Sequence, residues 1–325
     1  MARILLCTNP SASGFTGGLH RSVVARLRES YEVETEWPKS TAEARSISAA
    51  AAADRFDVVV AMGGDGVVHH IANGLAGTGT ALGIIPAGTT NVLARILGLP
   101  RKPRAATEFI CDQPPVETVP TAMLTLDHGE SGVESRLATF SCGAGFDAAV
   151  VERAEQEPHR KYRFSGLHYA RSAASVAWTG FSERSPDLEV TARDRSAEAV
   201  AVFVSLYDRY TYFGRIPVRF GTHEAGTLSV LVARELPRRR LVSILRRIVT
   251  GAGLSGADGF EVWTGVTSVE VSAPGGFPAQ ADGELLRSPV RFSVAARPDH
   301  LRVLKPGSTE RSGPDDIPRK GPDDG

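Results

Sequence analysis

The segment AMGGDGVVHHIANGL, residues 61–75, limits the fold of this chain more than any other stretch. It continues the β-branched apolar run FDVVVAM, Phe56 to Met62, which reads as a strand buried on both faces. Beyond it, Val68, Ile71, Ala72 and Leu75 recur at helical spacing, so a helix begins near Val67. A strand, a glycine turn (Gly63, Gly64, Gly66) and a helix N-terminus in that order leave backbone N–H groups free and favour a phosphate guest. Asp65 would repel that guest unless a divalent cation stood between carboxylate and phosphate, so the motif implies a metal–nucleotide complex.

The flanking sequence continues in the same rhythm. From Arg3 to about Pro120, short apolar strands (RILLCT, FDVVVAM, ALGII) alternate with helical stretches over 20–30, from Val67 and from Val92. This is the pattern of a parallel sheet covered by helices. From about Thr121 to Arg297 hairpin-like segments take over. LTLD faces RLATFSC, LEVTA faces AVAVFVSLY, and TLSVLVA, VTSVEVSA and PVRFSVAA follow, with helices expected over 166–179 and 238–250. The expectation is an α/β nucleotide-binding domain over 1–120 and an antiparallel β domain over 121–297, with the active site between them. A final strand over 298–306 could return to the first domain, and 307–325, rich in Pro, Gly and charge, reads as a disordered tail.

Composition excludes some partners. With 37 Lys+Arg against 37 Asp+Glu the formal charge is zero, which argues against a nucleic-acid binder. Cys7, Cys111 and Cys142 have neither disulfide-framework nor zinc spacing, which suits a reducing cytoplasm. No apolar run is long enough to span a bilayer, and the N-terminus lacks the long apolar region of a signal peptide.

Four other motifs carry candidate chemistry. NPSASG, with Asn9, Pro10, Ser11, Ser13 and Gly14, ends the first strand. It reads either as a plain turn or as a ligand loop at the carboxyl end of a parallel strand, and it is neither a Walker A loop nor a dinucleotide fingerprint. GIIPAGTTNVLARILGLP places Gly88, Thr89, Thr90 and Asn91 before a helix, where Thr89 or Thr90 can serve as cap and the group suits phosphate or its Mg²⁺. CGAGFDAAVV ends another apolar run with glycines and Asp147, in a corner or a further loop of the site. AQADGELL carries Asp282 and Glu284, which project from one face if the stretch is extended, although Asp-Gly is also a common hairpin turn. The adjacent His69 and His70 do not have zinc-pair spacing; they read as covering the outer side of their helix, with His70 within reach of a nucleotide. RELPRRRLVSILRRIVTG is a basic amphipathic stretch that either packs on the protein or lies on an anionic membrane.

Taken in order, NPSASG, GGDGVVHHIANGL, PAGTTNVLAR-x-LGLP, GAGFDAAV and DGE resemble the catalytic-domain family of diacylglycerol kinases and related lipid kinases, across about residues 3 to 305. RYTYFGRIPV, Arg209 to Val218, resembles a stretch of that family's β domain. The resemblance implies a three-layer domain like that of NAD kinases and phosphofructokinases joined to a β-sandwich with inserted helices. It also implies Mg²⁺- and ATP-dependent transfer of the γ-phosphoryl group to a lipid hydroxyl, diacylglycerol first. Asn9, Ser13, Gly14, Gly64, Asp65, Gly66 and Thr89 would hold the phosphates, with Asn91 in support. Asp65 would act through Mg²⁺, Glu284 would accept the hydroxyl proton, and Asp282 would order metal or water. The chain departs from the family pattern at Val67, at His70 where a Glu is common, at Phe15 where a Lys is common, and at Val92. THEAGTLSV retains only Glu224 of an acidic pair that holds a structural Mg²⁺ in some members. A cytoplasmic enzyme bound peripherally to the membrane follows, with a homodimer left open. The alternatives are a sphingoid-base or other lipid alcohol kinase, an NAD kinase relative, and a non-catalytic nucleotide-binding protein.

Overall fold

The computed structural model describes residues 1–155, 186–236, 240, 243–244, 246–247, 250 and 252–307. The helix expected over 166–179, much of that over 238–250, and residues 308–325 of the tail lie outside the described residues.

The first domain is built on strands whose two faces are both apolar. In β1 (Arg3–Thr8), Ile4 and Leu6 join one core while Leu5 and Cys7 join another, as the two-residue period of a strand requires. Parallel pairing sets β1 between β2 (Glu32–Glu36) and β3 (Val58–Gly63), and β3 beside β4 (Ala81–Pro86). Helices α1 (Gly17–Arg28) and α5 (Pro103–Cys111) cover one face through Val23, Leu27, Ala106 and Ile110. Helices α2 (Thr41–Ala53) and α3 (Asp65–Leu75) cover the other through Ala51, Ile71 and Leu75. Each fully buried Leu or Ile stabilises the layers by roughly 1.5–3 kcal/mol. The sequence reading did not anticipate β2, α2 or α5. β2, EVETE, is an edge strand with its three glutamates exposed. α2 buries only small residues, Ala44, Ser48 and Ala51, and lies so close to α3 that a side chain at Gly74 would strike Ser48 and the Arg45 carbonyl.

The second domain is antiparallel. β5 (Val116–Asp127) and β6 (Val133–Ala138) form the expected hairpin, but the chain turns at Thr139 and Phe140 so that β7 (Ser141–Gly145) enters a second sheet. RLATFSC is therefore two strands in two sheets. Likewise β8 (Leu188–Ala192) pairs with β9 (Arg195–Ala199), and beyond Val200 the chain crosses into the second sheet as β10 (Ala201–Ser205). A small ribbon, β11 (Thr211–Phe213) with β12 (Ile216–Val218), precedes β13 (Leu228–Ala233), β14 (Phe260–Val266) and β15 (Ser268–Ser272). The hairpin of β16 (Ala279–Ala281) and β17 (Glu284–Leu286) completes the second sheet, whose order is β14-β13-β10-β7-β16-β17. Leu124, Leu126, Val190, Val202, Val204, Val230 and Phe292 fill the space between the sheets.

One long strand joins the domains. β18 (Arg291–Leu304) pairs with β5 on both sides of a register shift between Arg297 and Leu301, with β15 over its first half, and in parallel with β4 at Val303 and Leu82. The first sheet thus runs without interruption through both domains, in the order β2-β1-β3-β4-β18-β15-β8-β9. Among the described residues no helix is long and apolar enough to cross a membrane.

Candidate active site

The carboxyl ends of β1, β3 and β4 converge, and backbone bonds tie the three loops together. Asn9 N–H donates to the Met62 carbonyl at 3.0 Å, Ala87 and Gly88 N–H donate to the Gly63 carbonyl at 2.8 and 3.1 Å, and Gly14 N–H donates to the Ala87 carbonyl at 2.8 Å. A Cβ at Gly88 would collide with the Gly64 backbone, so the second and third motifs can meet this closely only because Gly88 has no side chain. Ser13 Oγ and Thr89 Oγ1 are 3.2 Å apart across the first and third loops. Asn9 Oδ1 accepts from Ser11 N–H, and Asn91 holds its own loop closed, accepting from Gly88 N–H and donating to the Gly88 carbonyl. The sequence-selected residues Asn9, Pro10, Ser11, Ser13, Gly14, Gly63, Gly64, Asp65, Gly66, Gly88, Thr89, Thr90 and Asn91 therefore belong to one loop cluster.

Helix α4 (Val92–Ile96) has no hydroxyl cap, contrary to the expectation for Thr89 or Thr90. Asn91 stands at its start with φ 49°, and Asp65 Oδ1 accepts from Leu93 N–H at 3.4 Å, serving as a cap from another element. Asp65 opens partly on the cleft, yet its surroundings are crowded enough that burial pushes its carboxyl up to about 7, against weaker backbone hydrogen bonds that lower it. The nearby Asp282 charge pushes in the same direction as burial. A carboxyl so placed gains from a cation. Among the described residues no group of three or more His, Cys, Asp or Glu side chains is arranged to hold a metal ion. One carboxylate supplemented by phosphate oxygens, the common arrangement for Mg²⁺, fits these residues.

A stability effect follows from the raised carboxyl. Between the unfolded value of 3.8 and the folded value of about 7 the native state holds a proton that the unfolded chain has lost, so this group lowers stability as pH rises through that window. Metal-free wild type is expected to lose stability relative to Asp65→Asn between pH 4 and 8. The loss is at most about 4 kcal/mol and smaller in practice because water reaches the group. Urea midpoints of the two proteins across that pH range test this, and parallel curves would contradict it.

The DGE motif arrives from the second domain. It is not extended: Asp282 and Gly283 have φ of 53° and 81° and form the tip of the β16–β17 hairpin, so the two carboxylates diverge. Asp282 is 3% exposed and accepts five hydrogen bonds at 2.7–3.1 Å: from Thr139 N–H and Oγ1–H, Phe140 N–H, Ser141 N–H and the His69 ring through Nδ1. The expectation that Asp282 orders a metal is thereby corrected, since donors already occupy both its oxygens. It clasps the corner where the chain changes sheets. Gln280, 2% exposed, supports the same tip by accepting from Gly283 N–H and donating to the Tyr210 hydroxyl.

Glu284, just past the tip, projects the other way and lies directly over Gly66, where an added Cβ would strike its carboxylate. That carboxylate is the mobile end of a side chain, so Gly66→Ala should leave stability nearly unchanged while displacing Glu284. Turnover is expected to fall about a hundredfold, the scale of a 1 Å misplacement, with ATP affinity retained. Steady-state kinetics combined with nucleotide titration checks this.

Helix α3 is the partner of the hairpin. His69, expected on the outer side of the helix, is instead 1% exposed and bonds Asp282 at 2.8 Å. One turn on, Asn73 exchanges two hydrogen bonds with the Leu137 backbone at 2.8 and 3.0 Å. His69 and Asn73 share one face of α3 at i, i+4 spacing and lock the first domain to the β6–β7 corner. Sequence reading missed this role, and also Thr139 and Gln280. The available signal was a polar pair at helical spacing within an otherwise apolar face. His70, expected within reach of the nucleotide, places Nε2 3.7 Å from Glu284 Oε2. Asp147 is the second residue of α6 (Phe146–Glu155), and its side chain falls outside what the structure describes. A separate depression of about 810 Å³, lined by Asp127, Asp187, Glu189, Glu198 and Arg291 among others, lies at the Arg291 end of β18 and shares none of these residues.

Comparison with known proteins gives a consistent pattern. The diacylglycerol kinase catalytic domain profile matches residues 3–121, and that of the YegS C-terminal NAD kinase beta sandwich-like domain matches residues 141–305. A diacylglycerol kinase of Mycobacterium tuberculosis is 31% identical over 314 residues, covering 94% of this chain and 96% of its own. A crystal structure of a diacylglycerol kinase from Bacillus anthracis str. Sterne superposes with a TM-score of 0.65 at 19% identity, covering 93% of this chain and 96% of that one. Yeast NADH kinase in complex with NADH superposes at 0.56 with 11% identity, covering 95% of this chain and 84% of that one, a likeness of fold.

Proposed function

The chain belongs to the diacylglycerol kinase catalytic-domain family of lipid kinases, and from that premise we propose that it transfers the γ-phosphoryl group of ATP to a lipid hydroxyl, with diacylglycerol the acceptor and phosphatidic acid the product. The observation that carries this reading is the position of Glu284: a carboxylate from the second domain lies over Gly66 of the phosphate-type loop of the first. A base at that point can face an acceptor oxygen in line with a phosphate seated on the loops.

The backbone N–H groups at the head of α3, together with Ser13, Thr89 and Asn9, would hold the triphosphate. Glu284 would take the proton from the lipid hydroxyl as its oxygen bonds to the γ-phosphorus, and ADP would leave with the electron pair of the breaking P–O bond. Asp65 and the phosphate oxygens would hold Mg²⁺, which when bound supplies neutralisation of charge on the transferring group. His69, Asp282 and Asn73 would keep the two domains in the register that brings Glu284 to the loop. An acceptor carried in a bilayer implies work at a membrane surface.

ATP consumption with Mg²⁺ in mixed micelles tests the reading, with diacylglycerol, monoacylglycerol, sphingosine and NAD⁺ supplied separately. Stimulation by diacylglycerol above the others is expected. Stimulation by sphingosine alone would change the acceptor, and stimulation by NAD⁺ alone would overturn the lipid reading.

A further inference from the structure

We propose that His70 is a positioning residue for Glu284, its imidazole holding the carboxylate over the Gly63–Gly66 loop; the inference rests on the kinase reading above and names a part of its machinery. Three observations converge. His70 Nε2 is 3.7 Å from Glu284 Oε2, with the two side chains 15% and 29% exposed. That separation exceeds a hydrogen bond by less than 1 Å, a gap that a small side-chain rotation closes. Among the described residues Nε2 is also buried without a hydrogen-bond partner, a costly state for a ring nitrogen unless a group comes to meet it. Glu284 is the acceptor within reach.

The ring is not free to turn elsewhere. His69 packs edge-on against it, with centroids 4.9 Å apart and planes at 85°, and His69 is itself fixed by Asp282. The carboxylate is held from two sides: the Gly66 backbone lies beneath it, where Oε1 is the atom a Cβ would strike, and His70 faces Oε2. An N–H from His70 to Oε2 leaves Oε1 toward the loop to receive the hydroxyl proton. The proton still ends on Glu284, and His70 adds no transfer step of its own. An ordinary glutamate there, common in the resembling family, would face Glu284 with a like charge, so this chain has a different way of setting the base.

Kinetics of His70→Phe and His70→Gln test the proposal, because Phe keeps the shape of the ring without a donor and Gln keeps a donor near the place of Nε2. His70→Phe is expected to lower kcat about tenfold or more with the KM for ATP unchanged, and His70→Gln to recover most of the loss. Equal losses in both variants, or a loss confined to the KM for ATP, would overturn it. A second readout needs no turnover. In nucleotide-free protein, Glu284→Gln should move the His70 ring resonances, assigned by their absence in His70→Gln, and leave those of His300, whose ring lies against Gly77 beyond the far end of α3, in place. Unmoved His70 resonances would overturn the contact. Moved resonances in a protein that consumes no ATP with any lipid would instead sink the kinase reading and leave the contact standing.

Discussion

Glu284→Gln protein is expected to bind ATP as wild type does and to lose lipid-dependent turnover by about 10²–10⁴-fold, the usual contribution of a general base. The substitution keeps the size of the side chain and removes its capacity to take a proton. Glu284 lies past the hairpin tip, 29% exposed at its side chain, while buried hydrogen bonds of Asp282 and Gln280 fix that tip. Folding should therefore be untouched, and thermal melts of the two proteins should coincide. A Glu284→Gln enzyme within threefold of wild type would mean that the acceptor proton leaves by another route.

Asp282→Ala should have the largest effect on stability. Its carboxylate is the hub of a buried network that joins α3, the β6–β7 corner and the β16–β17 hairpin. Removing it strands the His69 ring and three backbone N–H groups in a dry junction, at a cost of about 3–5 kcal/mol. Asp282→Asn, which retains acceptor capacity at one atom, should cost less. Because the junction lies between domains, urea midpoints followed by two probes are the proper measure. A shift equivalent to less than about 1 kcal/mol for Asp282→Ala would show that the network is not what joins the domains. Turnover should fall along with stability, since Glu284 is carried on the same hairpin.

How much of this is legible in the sequence depends on how far apart along the chain the cooperating residues lie. The loop cluster was readable because each loop is local: an apolar run, a break of glycines, and a helical period. The two-layer β domain was readable as antiparallel from its alternation, but RLATFSC shows what periodicity cannot supply. Thr139 and Phe140 change sheets within a stretch that reads as one continuous strand, and the reason is Asp282, 143 residues away from Thr139. The same distance hid the role of Asp282 itself. An Asp-Gly-Glu string allows either two parallel carboxylates or a turn that sends them in opposite directions, and only pairing of β16 with β7 and β17 decides for the turn. His69 and His70 illustrate the reverse error. Their adjacency correctly implied that they point in different directions, yet both directions turned out to be inward, because α3 is packed by α2 and the sheet on one side and by the second domain on another. Edge strand β2 and the alanine-rich α2 were missed for a simpler reason: their buried residues are small or few, so they leave little hydrophobic periodicity to read.

The most direct test of Glu284 as the base is transfer of labelled γ-phosphate from ATP to diacylglycerol in vesicles, with wild type and Glu284→Gln assayed side by side at saturating Mg²⁺. Labelled phosphatidic acid from wild type, and at least a hundredfold less from Glu284→Gln at equal ATP occupancy, is the predicted result. Equal product from both proteins, or no labelled lipid from a wild type that binds ATP, would contradict the assignment of Glu284 as the base acting on a lipid hydroxyl.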